Sequence, residues 1–251
     1  MNTILKTIAL TGALIVSQQA AAGRLIMNHD EWTLSNTGFG AAPASTLQFA
    51  QNLAGYMNVN GGACNLLVYS NNFGLTQGSF QNALTGAGCS VTYSTGAFDL
   101  PTLSGYDGVL LGGNQFSYSA AVLTAYVNNG GAAYIAAGTG SIVGEDAAWD
   151  SFSHGFGLDF GPSYNGIGGT LPVAGSHPLL SNVTQLYFNN GNTVSLFGAN
   201  PNAQIIAVSG QQGLLGVFDD TTNNAPEPTS LGLLGLGLAA CGALRRRRQQ
   251  G

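Results

Sequence analysis

Between residues 24 and 136 the apolar positions fall into short unbroken runs, and most neighbouring runs are separated by a stretch with helical spacing. The runs are Leu25-Ile26-Met27, Leu66-Leu67-Val68-Tyr69, Val91-Thr92-Tyr93, Gly108-Val109-Leu110-Leu111 and Ala132-Ala133-Tyr134-Ile135-Ala136. Most show no polar alternation, as expected of strands covered on both faces. After a Gly-rich loop, Ser45 is placed to cap a helix with Leu47, Ala50, Leu53, Ala54 and Met57 on one side. A second helix, from about Thr76, presents Phe80, Ala83 and Leu84 and stops at Gly86 and Gly88. A third, from about Ser117, buries Val122, Leu123, Tyr126 and Val127 and stops at Gly130-Gly131. Repeated strand-helix-strand units predict an α/β fold: a doubly wound, mainly parallel sheet with helices on both faces. Beyond Gly157 the pattern weakens, and residues 185–188, 194–197, 204–208 and 214–218 read as short strands completing one edge in antiparallel fashion.

Composition narrows the class of protein. Only 7% of the 251 residues are charged, against about 25% in ordinary soluble domains, so Asn, Ser, Thr and Gln must solvate most of the surface. The 45% hydrophobic share supplies a core and argues against disorder. Residues 23–225 hold ten acidic side chains against Arg24 alone, a formal charge of −9. Such a body repels phosphate backbones and anionic lipid, which excludes nucleic-acid binding.

The cations gather at the ends instead. Lys6 precedes an apolar run through residues 8–16, and Ala20-Ala21-Ala22 follows, the layout of a signal peptide cut by signal peptidase before Gly23. At the other end Pro226-Glu227-Pro228 is followed by an apolar stretch over 231–244 and then by Arg245, Arg246, Arg247 and Arg248. The prolines keep the approach extended, the apolar stretch enters lipid as a short transmembrane helix, and the arginines stay on the cytoplasmic side. This tail resembles the PEP-CTERM sorting signal. The resemblance implies that exosortase reads Pro226, Glu227 and Pro228, and that the protein inserts transiently in the inner membrane of a Gram-negative bacterium. Delivery to the cell surface or extracellular matrix would follow. The organisation expected is a signal peptide over 1–22, one domain over 23–220, a linker over 221–225 and the sorting tail over 226–251.

Residues 65–140 resemble the class I glutamine amidotransferase-like fold, a flavodoxin-like relative. The resemblance is carried by Asn65-Leu66-Leu67-Val68-Tyr69-Ser70, by Gly105-Tyr106-Asp107-Gly108-Val109-Leu110-Leu111-Gly112-Gly113, and by Asn128-Asn129-Gly130-Gly131 leading into Tyr134-Ile135-Ala136-Ala137-Gly138. Active members of that family carry a cysteine on the turn that here reads Gly138-Thr139-Gly140-Ser141, so the resemblance implies a fold without the amidotransferase reaction. The expected role is therefore non-catalytic: a surface or biofilm-matrix protein with a structural or binding task, no cofactor and no resident metal.

The alternative is an extracellular hydrolase using Thr139 or Ser141 with His154 or His177 as base. No Gly-x-Ser-x-Gly surrounds either hydroxyl. Glu145, Asp146 and Asp150 fit the first turns of a helix, where its dipole favours carboxylates. A calcium-stabilised adhesion module would instead need Asp146, Asp150 and Asp159 to converge.

The loops after successive strands would gather at one edge of the sheet, where open α/β folds bind ligands. Asn71, Asn72, Gly113, Asn114, Gln115 and Thr139 form that candidate ligand edge, with Tyr118 and Trp149 as stacking surfaces for a neutral saccharide of an extracellular polysaccharide. Cys64 and Cys89 each stand just before one of two neighbouring strands, which predicts a disulfide in an oxidising compartment.

Overall fold

The computed structural model describes residues 23–113, 118–140 and 144–220. Five strands run parallel: β1 (Arg24–Asn28), β2 (Asn65–Tyr69), β3 (Ser90–Tyr93), β4 (Gly108–Gly112) and β5 (Ala132–Ala136). Their spatial order is β3-β2-β4-β5-β1. The chain moves outward from β2 to β3 and then crosses back to β4, so the direction of winding reverses between β2 and β4. In open α/β sheets that reversal leaves a crevice at the carboxyl ends of the strands.

Alternate strand residues feed two cores, as the two-residue period of a strand requires. Ile26, Leu66, Val68, Leu110 and Tyr134 pack on one side with α2 (Pro43–Met57) and α4 (Gly78–Gly86). Leu25, Met27, Leu67, Tyr69, Val109, Leu111, Ala133 and Ile135 pack on the other with α6 (Ala120–Asn128) and α7 (Glu145–Ser153). Short helical turns α1 (Asn36–Ala41), α3 (Phe73–Thr76) and α5 (Leu100–Leu103) fill the connections.

The helix starts differ from those expected, for local reasons. Helix α2 opens with Pro43 in its first turn, and Ser45 is buried with its Oγ 3.1 Å from Thr184 Oγ1. Its inward stripe is Thr46, Phe49, Ala50, Leu53, Ala54 and Met57, the 3-and-4 spacing of one helix face. Leu47 falls off that stripe and is 41% exposed. Thr76 closes α3 rather than opening α4. Ser119, not Ser117, caps α6, its Oγ accepting the Val122 N–H.

After α7 the sheet continues with antiparallel strands. β6 (Leu158–Tyr164), β9 (Asn192–Leu196), β10 (Ala203–Ser209) and β11 (Gln212–Asp219) extend it beyond β1. β1 pairs along its whole length with the last part of β11, from Arg24 opposite Asp219 to Asn28 opposite Leu215. A separate hairpin joins β7 (Gly168–Pro172) and β8 (Gln185–Asn189). The fold is thus α/β, with a mixed sheet whose first five strands are parallel.

The two ends of the described body meet at the amino ends of the parallel strands. The Asp220 N–H donates to the Gly23 carbonyl at 3.0 Å. Arg24 pairs with Asp219 at 3.4 Å, lies 4.5 Å over the Tyr56 ring and donates to the Tyr56 carbonyl. No helix among the described residues is long and apolar enough to cross a membrane. The apolar stretch 231–244, the arginines after it and the leader all lie outside the described residues.

Cys64 and Cys89 are joined by a disulfide, 25 residues apart in sequence, at the start of the adjacent strands β2 and β3. Closing that loop restricts the unfolded chain. The double variant Cys64→Ser/Cys89→Ser should therefore lose about 3.5 kcal/mol in equilibrium denaturant unfolding. Unchanged stability would show that the unfolded chain gains little freedom from the cut.

Candidate functional site

The carboxyl ends of the parallel strands collect a group of acidic and amide side chains. Strand β1 runs directly into His29, Asp30 and Glu31, all buried. The Asp30 carboxylate accepts the Trp32 N–H at 2.8 Å and also the Asn189 N–H, tying the end of β8 to the end of β1. Asn72, after β2, donates its side-chain N–H to Glu31, while its Oδ1 accepts the Gly74 N–H at 2.7 Å. Gly113, after β4, has φ of 74°, and a side chain there would come within 2.8 Å of the Asn72 Cβ. Glycine is required on both counts.

The turn after β5 is held by Glu145 at the start of α7. The Thr139 N–H donates to Glu145 Oε2 and the Thr139 hydroxyl to Oε1, both at 3.0 Å. Gly138 adds a further backbone hydrogen bond. The N–H groups of this turn, which would otherwise form an anion-binding nest, are thus engaged by a carboxylate of the same chain.

Burial sets the electrostatics. It pushes Glu31 up to about 7, against the hydrogen bond from Asn72 and with help from the neighbouring charges of Asp30 and Glu145. Asp30 rises to about 6, again by burial, opposed by the N–H bonds of Asn189 and Trp32. Glu145 is raised by burial despite its bonds to Thr139 and Gly138. His29, enclosed near Phe188, falls to about 3 because burial disfavours its charged form.

A recess of about 280 Å³ opens beside these groups, lined by Gly144, Glu145, Pro162, Ser163, Tyr164 and Asn192. Tyr164 is 48% exposed, and its hydroxyl borders Gly140, where an added Cβ would lie 2.5 Å from it. Asn192 is almost fully buried; its amide donates to the Gly161 carbonyl at 2.9 Å and its Oδ1 has no hydrogen-bond partner among the described residues. A smaller recess of about 140 Å³ lies at the opposite edge, near Asn60, Tyr106 and Tyr126. There Asn60 is bonded to Asp107 and Tyr126 to the Tyr106 carbonyl.

Of the residues singled out from sequence, Asn72, Gly113 and Thr139 stand at the ends of neighbouring strands, with Asn71 exposed beside them. Asn114, Gln115 and Ser141 lie outside the described residues, as do Pro226, Glu227 and Pro228. Trp149 is wholly buried and serves the core, and the partly buried Tyr118 packs on it at 4.7 Å while donating to the Ala148 carbonyl.

Neither histidine joins Thr139. His177 sits at the amino ends of the strands, 3.5 Å from Asp219 and 3.4 Å from the Tyr56 hydroxyl. His154 follows α7, nine residues beyond Glu145, which at helical rise is about 13 Å away. Its Nε2 faces Asp159 and Asp150 instead. Asp146 lies a helical turn before Asp150 and outside that group, so the triple convergence expected of Asp146, Asp150 and Asp159 is not formed.

Sequence reading passed over Asp30, Glu31, Tyr164 and Asn192. Three consecutive titratable residues after the first strand were the available signal in a chain so poor in charge.

Residues 224–248 match the family described as the PEP-CTERM protein-sorting motif. No curated protein and no solved structure matches the chain, so the resemblance of residues 65–140 to the amidotransferase-like fold gains no support there. The motif marks an exported protein that is held transiently in a membrane, processed by exosortase and passed to the cell surface.

The raised carboxyls fix a pH dependence. The folded state keeps protons on Glu31 and Asp30 that the unfolded chain would release, so stability falls as pH rises through that interval. For Glu31 the interval runs from 4.5 to about 7, and for Asp30 from 3.8 to about 6. Glu31→Gln keeps an acceptor for Asn72 and removes one titration. Thermal melts across these pH values should show a smaller loss of stability in the variant than in the parent. Equal losses would remove Glu31 from the account.

Proposed function

We propose that the domain over 23–220 is a non-catalytic binding module of the extracellular matrix, released at the surface of a Gram-negative cell, and that it holds neutral saccharide units. Signal peptidase removes residues 1–22, residues 221–225 serve as linker, and exosortase acts at Pro226-Glu227-Pro228.

The observation that supports the binding role is the recess at the carboxyl ends of the strands, where Glu145, Ser163 and Asn192 offer hydrogen bonds beside the half-exposed Tyr164 ring. Its volume of about 280 Å³ stands near the lower end of the roughly 300–1,000 Å³ typical of small-molecule sites. That suits one or two sugar units. Hydroxyl-rich neutral ligands match carboxyls and amides, and an aromatic face suits the apolar side of a sugar ring. Anionic ligands meet Asp30, Glu31 and Glu145, with the body's single cation, Arg24, engaged at the opposite edge.

Two measurements test this reading. Intact mass of the protein recovered from outside the cell should show a start at Gly23 and no residues 231–248; retention of that tail would contradict surface release by exosortase. Calorimetric titration of the same material with neutral oligosaccharides, chosen from a glycan array, should give binding that Tyr164→Ala weakens at least about tenfold, the equivalent of 1.4 kcal/mol. No binding to any neutral saccharide, or full binding by the variant, would overturn the saccharide assignment.

A further inference from the structure

Away from the recess, α7 and β6 bring together three side chains with metal-ligating atoms. His154 Nε2 lies 3.0 Å from Asp159 Oδ1 and 3.4 Å from Asp150 Oδ1, and the three ligand atoms are all within 4.8 Å of one another. Asp150 on α7 and His154, the helical residue that follows it, are one turn apart, a spacing that puts both on one face. The chain then turns at Gly157, in the left-handed region with φ of 78°, and starts β6, which returns Asp159 to the same point. Phe197, just after β9, stacks face to face on the imidazole at 3.6 Å and fixes the ring plane.

His154 Nε2 bonds Asp159 at 3.0 Å, while Asp150 Oδ1, 3.4 Å from the same nitrogen, is shielded from solvent with no hydrogen-bond partner among the described residues. A cation held between the three atoms would satisfy each. With metal–ligand bonds of 2.0–2.1 Å, the edge of a tetrahedron is about 3.3 Å, close to the two separations of 3.0 and 3.4 Å. An imidazole with two carboxylates suits a borderline ion of the zinc class better than calcium, which takes six to eight oxygens. The negative body adds a favourable field for any cation.

We propose that Asp150, His154 and Asp159 form a binding site for a divalent transition-metal ion of the Zn²⁺ class, with the fourth position open to water or a ligand. All three side chains are about one-third exposed, which gives the ion an entry path and leaves that position reachable. Binding clasps the end of α7 to β6.

The test is titration of the untagged protein with Zn²⁺ by calorimetry, with Co²⁺ as a spectroscopic probe. The expected result is one ion per chain and a visible Co²⁺ band of low coordination number. His154→Ala should abolish both, and Asp159→Asn should weaken binding by more than about tenfold, whereas Asp146→Asn, on the neighbouring turn, should change affinity far less. No saturable binding would leave only a histidine–carboxylate ion pair and overturn the proposal. So would wild-type affinity in His154→Ala, or a loss in Asp146→Asn equal to that in Asp159→Asn, which would mark diffuse attraction by acidic residues.

Discussion

Much of the carboxyl edge of this sheet is organised by one carboxylate seated in one turn. Glu145, the first residue of α7, accepts both the N–H and the hydroxyl of Thr139 at 3.0 Å, closing the loop that follows β5. In α/β sheets the N–H groups at such a turn face the crevice and stand ready for an anionic ligand or a developing oxyanion. Here the anion is part of the fold. The hydroxyl at 139 is tied to a carboxylate, and the two histidines nearest in sequence are spent on Asp159 and Asp219. What the crevice retains is a recess walled by Glu145, Tyr164 and Asn192.

Scarcity of charge governs the rest. A body with ten acidic residues and one arginine between 23 and 225 cannot balance its carboxylates with cations. It buries some of them, protonated more readily than usual, and hydrogen-bonds them to amides. Asp30 and Glu31 follow this course, with Asn72, Asn189 and Trp32 as donors. The one cation joins the two ends of the body. Arg24 sits on the Tyr56 ring against Asp219, whose carboxyl would be raised by burial but is held lower by hydrogen bonds from His177 and Tyr56 and by the arginine.

The parallel half of the sheet was legible because its strands are buried on both faces. Val109, Leu110, Leu111 and Tyr134, Ile135 leave no polar position to confuse the reading. Helix starts were less legible, since Pro43 and Ser119 compete with other small polar residues nearby. Strands β6 and β7 escaped notice because Gly161, Pro162, Gly168, Gly169 and Pro172 interrupt them, and such residues weaken any period-two signal. The same gap hid the recess: Tyr164 ends one of these strands, and Asn192 begins β9 just after the turn from β8. Asn72, Gly113 and Thr139 could be grouped from sequence because alternation of strands and helices alone gathers the loops after parallel strands on one edge. Their partners Glu31 and Glu145 required knowledge of side-chain direction, which no spacing supplies.

The most direct test of a binding edge built around Glu145 is to map where a ligand lands. Backbone amide shifts of the mature protein, recorded by NMR during titration with a neutral oligosaccharide, locate the contact without altering the chain. The largest changes should fall at Thr139, Glu145, Ser163, Tyr164 and Asn192. Changes confined to the opposite edge, around Tyr56, His177 and Asp219, would contradict a binding edge at Glu145.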